Sequence, residues 1–151
     1  MNTSGHEKHL SRRQPAASIK RLVLKVGSAV LTRNKPGPDV RFMSGLSRQV
    51  AAARSAGVEV VLVSSGAIAA GREKLSLRNG LRSIPQQQAA AAVGQSSLIG
   101  FYERCFSRHD LTVAQLLLTH DDFSHRQRYL NARNTLMTLL QYGVVPIINE
   151  N

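Results

Sequence analysis

The chain holds a single cysteine, Cys105, so no disulfide can form within it. That usage points to a reducing compartment, and a cytoplasmic location is expected. No apolar stretch approaches the roughly 18 residues a transmembrane helix needs. The N-terminus shows no apolar core followed by a cleavage site, so neither a membrane span nor a signal peptide is expected. Acidic residues are scarce: nine Asp and Glu stand against 20 Lys and Arg, for a formal charge of +11. A charge of that size raises nucleic-acid binding as a question. The 15 arginines are scattered, however, and no RNA-binding signature accompanies them. The basic residues are read as a solvated surface, with no nucleic-acid partner expected.

Several motifs are also missing. There is no G-x-x-x-x-G-K-[ST], no G-x-G-x-x-G after the first strand and no G-x-S-x-G elbow. These absences argue against a P-loop protein, a dinucleotide-binding domain and a serine hydrolase. His120, Asp121, Asp122 and His125 crowd together, but their spacing fits no standard metal site, and no metal-ligating residues are assigned.

What is present is organised around VEVVLVSSGAIAAG, residues 58–71. A short β-branched apolar run reads as a strand buried on both faces, of the kind found in parallel sheets. It breaks at Ser64-Ser65-Gly66 into an alanine-rich helix. Ligands in open α/β sheets sit where strand ends meet helix starts, and glycine lets an anion approach the backbone there.

The remaining chain repeats the pattern. Residues 1–18 are polar and aperiodic and read as a disordered leader; 19–151 read as one domain, or part of one. A first strand is predicted over 19–26, with Lys25 near its end and Gly27-Ser28 after it. Residues 33–38 read as a loop. Asp39 caps a helix whose buried face is Phe42, Met43, Leu46, Val50 and Ala53, and Gly57 ends it. Residues 73–85, with Asn79-Gly80, read as a second loop. Ser83 and Gln86 are spaced as a capping box for a helix running to about residue 108. Its 89–92 alanine run is small enough to pack closely on the sheet. A third strand covers 112–118. Ser124 and Gln127 form a second capping-box pattern, opening a helix that buries Tyr129, Ala132, Leu136 and Leu139 or Leu140. Gly143 stops that helix, and 144–148 form a fourth strand. Alternation of this kind implies a mainly parallel sheet with helices on both faces, an α/β three-layer sandwich.

Parallel strands put all four C-terminal ends on one rim. That rim carries Lys25, Gly27, Ser28, Ser64, Ser65, Gly66, Thr119, Asn149 and Asn151. The set holds a cation, glycines, hydroxyls and amides, with no acid–base dyad. Such groups suit an anion, phosphate above all.

Six stretches together carry a resemblance: VLKVGSAVLT (23–32), VSSGAIAAGRE (63–73), AAVGQSSLI (91–99), QLLLT (115–119), YLNARNT (129–135) and VPIINEN (145–151). They resemble the amino acid kinase family, and SSGAIAAG, LNARNT and PIINEN resemble its glutamate 5-kinase branch in particular. The resemblance spans residue 20 to the end. It implies ATP-dependent phosphorylation of the side-chain carboxylate of L-glutamate, a step toward proline. It implies that Lys25 acts catalytically on the transferring phosphate, with Gly27 and Ser28 beside it. It further implies that Ser65, Gly66, Ala67 and Asn149 bind the amino acid, and that Mg²⁺ arrives mainly on the ATP phosphates. A homo-oligomer is expected at full length. In that family an aspartate follows the NEN stretch, and an acidic segment, the nucleotide-binding half and a second lysine come later. The chain is therefore expected to be an amino-terminal part, inactive alone. Two alternatives stay open: a non-catalytic amino-acid-binding remnant, and another amino acid kinase. Gly27-Ser28 and Ser64-Ser65-Gly66, where acetylglutamate kinases carry glycine-rich turns, favour a free amino acid.

Overall fold

A computed structural model describes residues 19–33, 37–77 and 83–150. The leader 1–18, the centre of the first loop, Asn79-Gly80 and Asn151 lie outside the described residues. Four strands, β1 (Arg21–Val26), β2 (Glu59–Ser64), β3 (Val113–Leu118) and β4 (Val145–Glu150), form one sheet in the order β1-β2-β4-β3. All three pairings are parallel. The helices are α1 (Ser28–Thr32), α2 (Val40–Ser55), α3 (Ala67–Lys74), α4 (Ile84–Phe106), α5 (His120–Ser124) and α6 (Arg126–Gln141). The alternation read from the sequence is the observed architecture, with α1 and α5 added as short turns of helix.

The strand order dictates where the helices lie. From β1 to β2 to β3 the chain moves one way across the sheet; from β3 to β4 it turns back. Right-handed crossovers put the outgoing and returning helices on opposite faces. Helices α2 and α4 pack together against β2 and β3, while α6 packs on β4 and β3. The register assigns the side chains accordingly. Leu22, Leu24 and Val26 pair with Val60, Leu62 and Ser64, and Leu62 pairs with Ile147, so these share the α2–α4 face. There they meet Met43, Val50, Leu98, Tyr102, Cys105 and Phe106 in one core. The Tyr102 and Phe106 rings lie 6.0 Å apart at 57°, a tilted aromatic pair.

Ser64 does not belong to the rim. It is the last residue of β2, 2% exposed, and its hydroxyl lies 2.9 Å from the Tyr102 hydroxyl. Strand alternation turns Ser64 into the core and leaves Ser65 outside. Burial pushes the Tyr102 phenol above its ordinary value, and the Ser64 bond partly offsets this.

Several local expectations hold. Asp39 accepts from the Phe42 N–H at 2.9 Å as the α2 cap. Ser83 and Gln86 bond reciprocally at 3.3 and 3.4 Å at the start of α4. Three others are corrected. The Ser124–Gln127 box does not form, because Ser124 ends α5 and its hydroxyl donates to the His120 carbonyl. The capping pair lies earlier: the Thr119 N–H and hydroxyl donate to the Asp122 carboxylate at 2.7 and 2.8 Å. The backbone bond, then the hydroxyl bond, hold the Asp122 carboxyl below its usual range. Tyr129 is 45% exposed rather than buried, and in α6 only Leu140 is fully buried. The first turns of α6 line a hollow with Leu116, Leu117 and Leu118 of β3, through Arg128, Asn131, Ala132 and Thr135, so they are not packed tightly on the sheet.

The third correction concerns the alanine run of α4. It packs on α3, not on the sheet. A Cβ built on Gly71 would collide with the Ala90 carbonyl oxygen, and one on Gly94 with the Ala67 carbonyl oxygen. The two pairs run in opposite directions along the chain, so α3 and the first half of α4 are antiparallel and nearly in backbone contact. The sheet is met only further along α4, by Leu98, Tyr102, Cys105 and Phe106. Gly94→Ala should therefore separate the helices and destabilise the fold by about 1–3 kcal/mol, as overpacking does. Thermal unfolding measures it; an unchanged midpoint would show that the contact is not required.

A candidate amino-acid site at the strand ends

The antiparallel α3–α4 pair stands on the C-terminal rim of the sheet. Ala67 lies level with Gly94 near the strand ends, and Gly71 lies level with Ala90 further out. Between this hairpin and the ends of β2, β3 and β4 is a cleft of about 960 Å³. Its floor carries Ser28, Ser65, Gly66, Ala67 and Asn149, and Gln95 hangs over the floor from α4. Towards the mouth the walls carry Ile68 and Arg72 from α3, and Ile84 and Gln88 from α4.

Backbone geometry makes the floor. Gly66 has φ +137°, in the region that favours glycine, and a Cβ there would press on the Leu31 side chain. This lets β2 turn directly into α3. The Ser65 N–H donates to the Val26 carbonyl, and the Ser28 N–H donates to the Ser65 hydroxyl oxygen, both at 3.1 Å. The turns after β1 and β2 are thus tied together. The Ser65 hydroxyl proton remains available to an acceptor in the cleft.

Asn149 lies inside β4, not after it as the sequence suggested, and is 6% exposed. Its side-chain amide donates to the Gln95 side-chain carbonyl. The Gln95 Nε2 is buried and has no hydrogen-bond partner among the described residues. An amide in that state costs free energy until an acceptor reaches it. Gln95 is absent from the sequence-derived site. Its signal is present nonetheless: Ile84, Gln88, Ala91, Ala92 and Gln95 recur at helical spacing and form one stripe of α4.

Five of the seven site residues expected from the sequence therefore converge on the cleft. Lys25 and Gly27 do not line it. Lys25 is exposed on the β1 face that also carries Arg21 and Val23, the face turned away from α2 and α4. Gly27 has φ −72°, open to any residue, and a Cβ there would meet nothing within 4 Å. Neither conformation nor packing requires a glycine at Gly27; its bare backbone leaves space beside Lys25.

The lining is chemically one-sided. Among the described residues it offers hydroxyl, amide and backbone donors and one ionisable side chain, Arg72, with no carboxylate. Such a lining suits a small anionic molecule, and among the described residues it offers no general base. Among the described residues no three His, Cys, Asp or Glu come together as for a metal, and no helix is long and apolar enough to cross a membrane.

The parallel sheet, its glycine turn and the paired helices place a donor-rich cleft at the strand ends, and residues 20–151 match the model of the amino acid kinase family. The chain belongs to that family. It is 55% identical over 140 residues to the glutamate 5-kinase of Citrifermentans bemidjiense, covering 93% of this chain and 38% of that protein. It is 55% identical over 139 residues to the glutamate 5-kinase of Aromatoleum aromaticum, covering 92% and 38%. For that of Teredinibacter turnerae the figures are 54% over 142 residues, 94% and 38%. The chain spans well under half the length of these relatives.

The two glycines of the rim should respond differently to the same substitution. Gly66→Ala should lower stability by about 1–3 kcal/mol, since it forces a positive φ on alanine. Gly27→Ala should leave the unfolding midpoint within about a degree. Equal losses in a calorimetric scan would contradict the distinct roles assigned to the two turns.

Proposed function

We propose that this chain forms the amino-acid-binding part of a glutamate 5-kinase, which phosphorylates the side-chain carboxylate of L-glutamate in the cytoplasm as a step toward proline. The observation that carries the reading is the convergence of Ser65, Gly66, Ala67 and Asn149, from two segments far apart in sequence, on one cleft with no carboxylate among its described lining residues. Identity of 54–55% to proteins of that name supports it.

L-Glutamate carries a carboxylate at each end, with an ammonium beside the α-carboxylate, and the cleft answers the carboxylates with donors. The Ser65 hydroxyl donates to a carboxylate oxygen, and the Gly66 and Ala67 N–H groups at the start of α3 point to the same region. Asn149 is held in place by Gln95, which fixes how its amide meets the ligand. A carboxylate nucleophile needs no deprotonation, so the absence of a base costs nothing. What the site must supply is position and charge stabilisation.

ATP supplies the phosphoryl group: an O–P bond forms at the glutamate carboxylate as the bond to ADP breaks. The chain fits the phosphate end of ATP. Lys25 would provide the cation, the open backbone at Gly27 the close approach, and Ser28 a neighbouring polar group. Magnesium would be carried on the nucleotide phosphates.

The test joins residues 20–150 of this chain to the remaining length of the Citrifermentans bemidjiense protein and follows ADP release. ADP release that depends on L-glutamate, and not on L-aspartate or N-acetylglutamate, is expected. Turnover with N-acetylglutamate alone would overturn the reading in favour of another amino acid kinase. In the same protein, Lys25→Ala should lower kcat by about 10²-fold with little change in the glutamate KM, because its charge acts on the transition state. Ser65→Ala and Asn149→Ala should instead raise the glutamate KM by about tenfold each. A rise in the ATP KM alone would show that these two residues serve the nucleotide.

A further inference from the structure

We infer that Arg72 is the specificity residue that receives the α-carboxylate of the amino acid; the inference rests on the kinase reading above. Three observations lead to it. First, Arg72 is the one ionisable side chain among the described residues that line the cleft. Among the described lining residues, a ligand carrying two carboxylates therefore meets one cation, and that cation stands away from the strand ends. Second, its position matches a molecule bound end-on. Arg72 lies five residues beyond Ala67, about 7.5 Å further along the α3 axis. The α3 helix runs outward from the rim, as its contacts with α4 show. A carboxylate placed at the floor, by Ser65 and Asn149, leaves the other end of a five-carbon chain pointing up the hairpin towards the guanidinium. Third, the guanidinium is available. Arg72 is exposed, and the salt bridge among the described residues joins Arg21 and Glu59 instead.

The surroundings sharpen the geometry. Ile68 precedes Arg72 by one helical turn and also faces the cleft, and Gln88 and Ile84 stand opposite on α4. Apolar walls at Ile68 and Ile84 suit the methylene chain between the two charged ends. A planar guanidinium can grip a carboxylate with two parallel bonds, which a lysine cannot reproduce. The floor groups then hold the end that reacts, and Arg72 reads the end that does not.

The test uses the joined protein described above and two substrates: L-glutamate, and 4-aminobutyrate, which keeps the reacting carboxylate and lacks the α-carboxylate. Arg72→Ala should raise the L-glutamate KM by about 10- to 100-fold, the loss expected for a charge-assisted pair, with kcat changed much less. Arg72→Lys should recover only part of this. 4-Aminobutyrate should turn over poorly, and with it Arg72→Ala should make no further difference. A glutamate KM within twofold of the unsubstituted protein would overturn the inference. So would an equal loss on both substrates, which would mark Arg72 as merely structural. If the unsubstituted protein shows no glutamate-dependent ADP release, the kinase reading itself fails. Titration calorimetry of L-glutamate into the 151-residue chain, with and without Arg72→Ala, then decides the Arg72 contact on its own. Binding weakened by the substitution supports it, whereas unchanged binding or none overturns it.

Discussion

The near-contact of two helix backbones is the constraint on which the cleft depends. Gly71 and Gly94 lack the atoms that would hold α3 and α4 apart, and their partners Ala90 and Ala67 are almost as small. Close approach aligns the two helices antiparallel and stands them above the strand ends. Without it Gln95 would not reach Asn149, and Arg72 would not face Gln88 across a gap. Small residues here act by letting backbone meet backbone rather than by filling a core.

A second dependence runs through the turn at Gly66. Its positive φ swings the chain from β2 into α3 without a connecting loop, so Ser65 stays within reach of the Ser28 N–H. The first and second βα turns are thereby coupled. On the proposed reading one serves the phosphate and the other the amino acid. Two anions must be brought together during phosphoryl transfer, and a short hydrogen-bonded link between their binding turns sets their separation.

Much of the fold was legible along the chain because its signals are local. The apolar run before Ser64, the Ser83–Gln86 box, and the periodic face of Met43 and Val50 each depend on residues within a few positions of one another. Resemblance of the quoted motifs reached the family, which the match over residues 20–151 bears out. Expectations failed where a local pattern had a stronger neighbour. Ser124 fits a capping box, but it is the last residue of α5, a helix opened by the Thr119–Asp122 pair. Tyr129 sits on a periodic apolar stripe, yet it is exposed, because the start of α6 and β3 leave a hollow between them where close packing would have buried it.

The sequence by itself determined the alternation of strands and helices, the parallel sheet that follows from it, and the polar composition of the strand ends. Each of these is set by periodicity, capping and chain connectivity, which act over short separations. Only the tertiary structure decided which polar residues share one space. Ser64 and Ser65 are adjacent, yet one is bonded to Tyr102 in the core and the other faces the cleft, because strand parity sends them to opposite sides. Gln95 and Asn149 are 54 positions apart and hydrogen-bonded. Lys25 and Ser28 are three apart, yet only Ser28 lines the cleft. Proximity in space is fixed by register and helix packing, and neither is written in any single stretch of the chain.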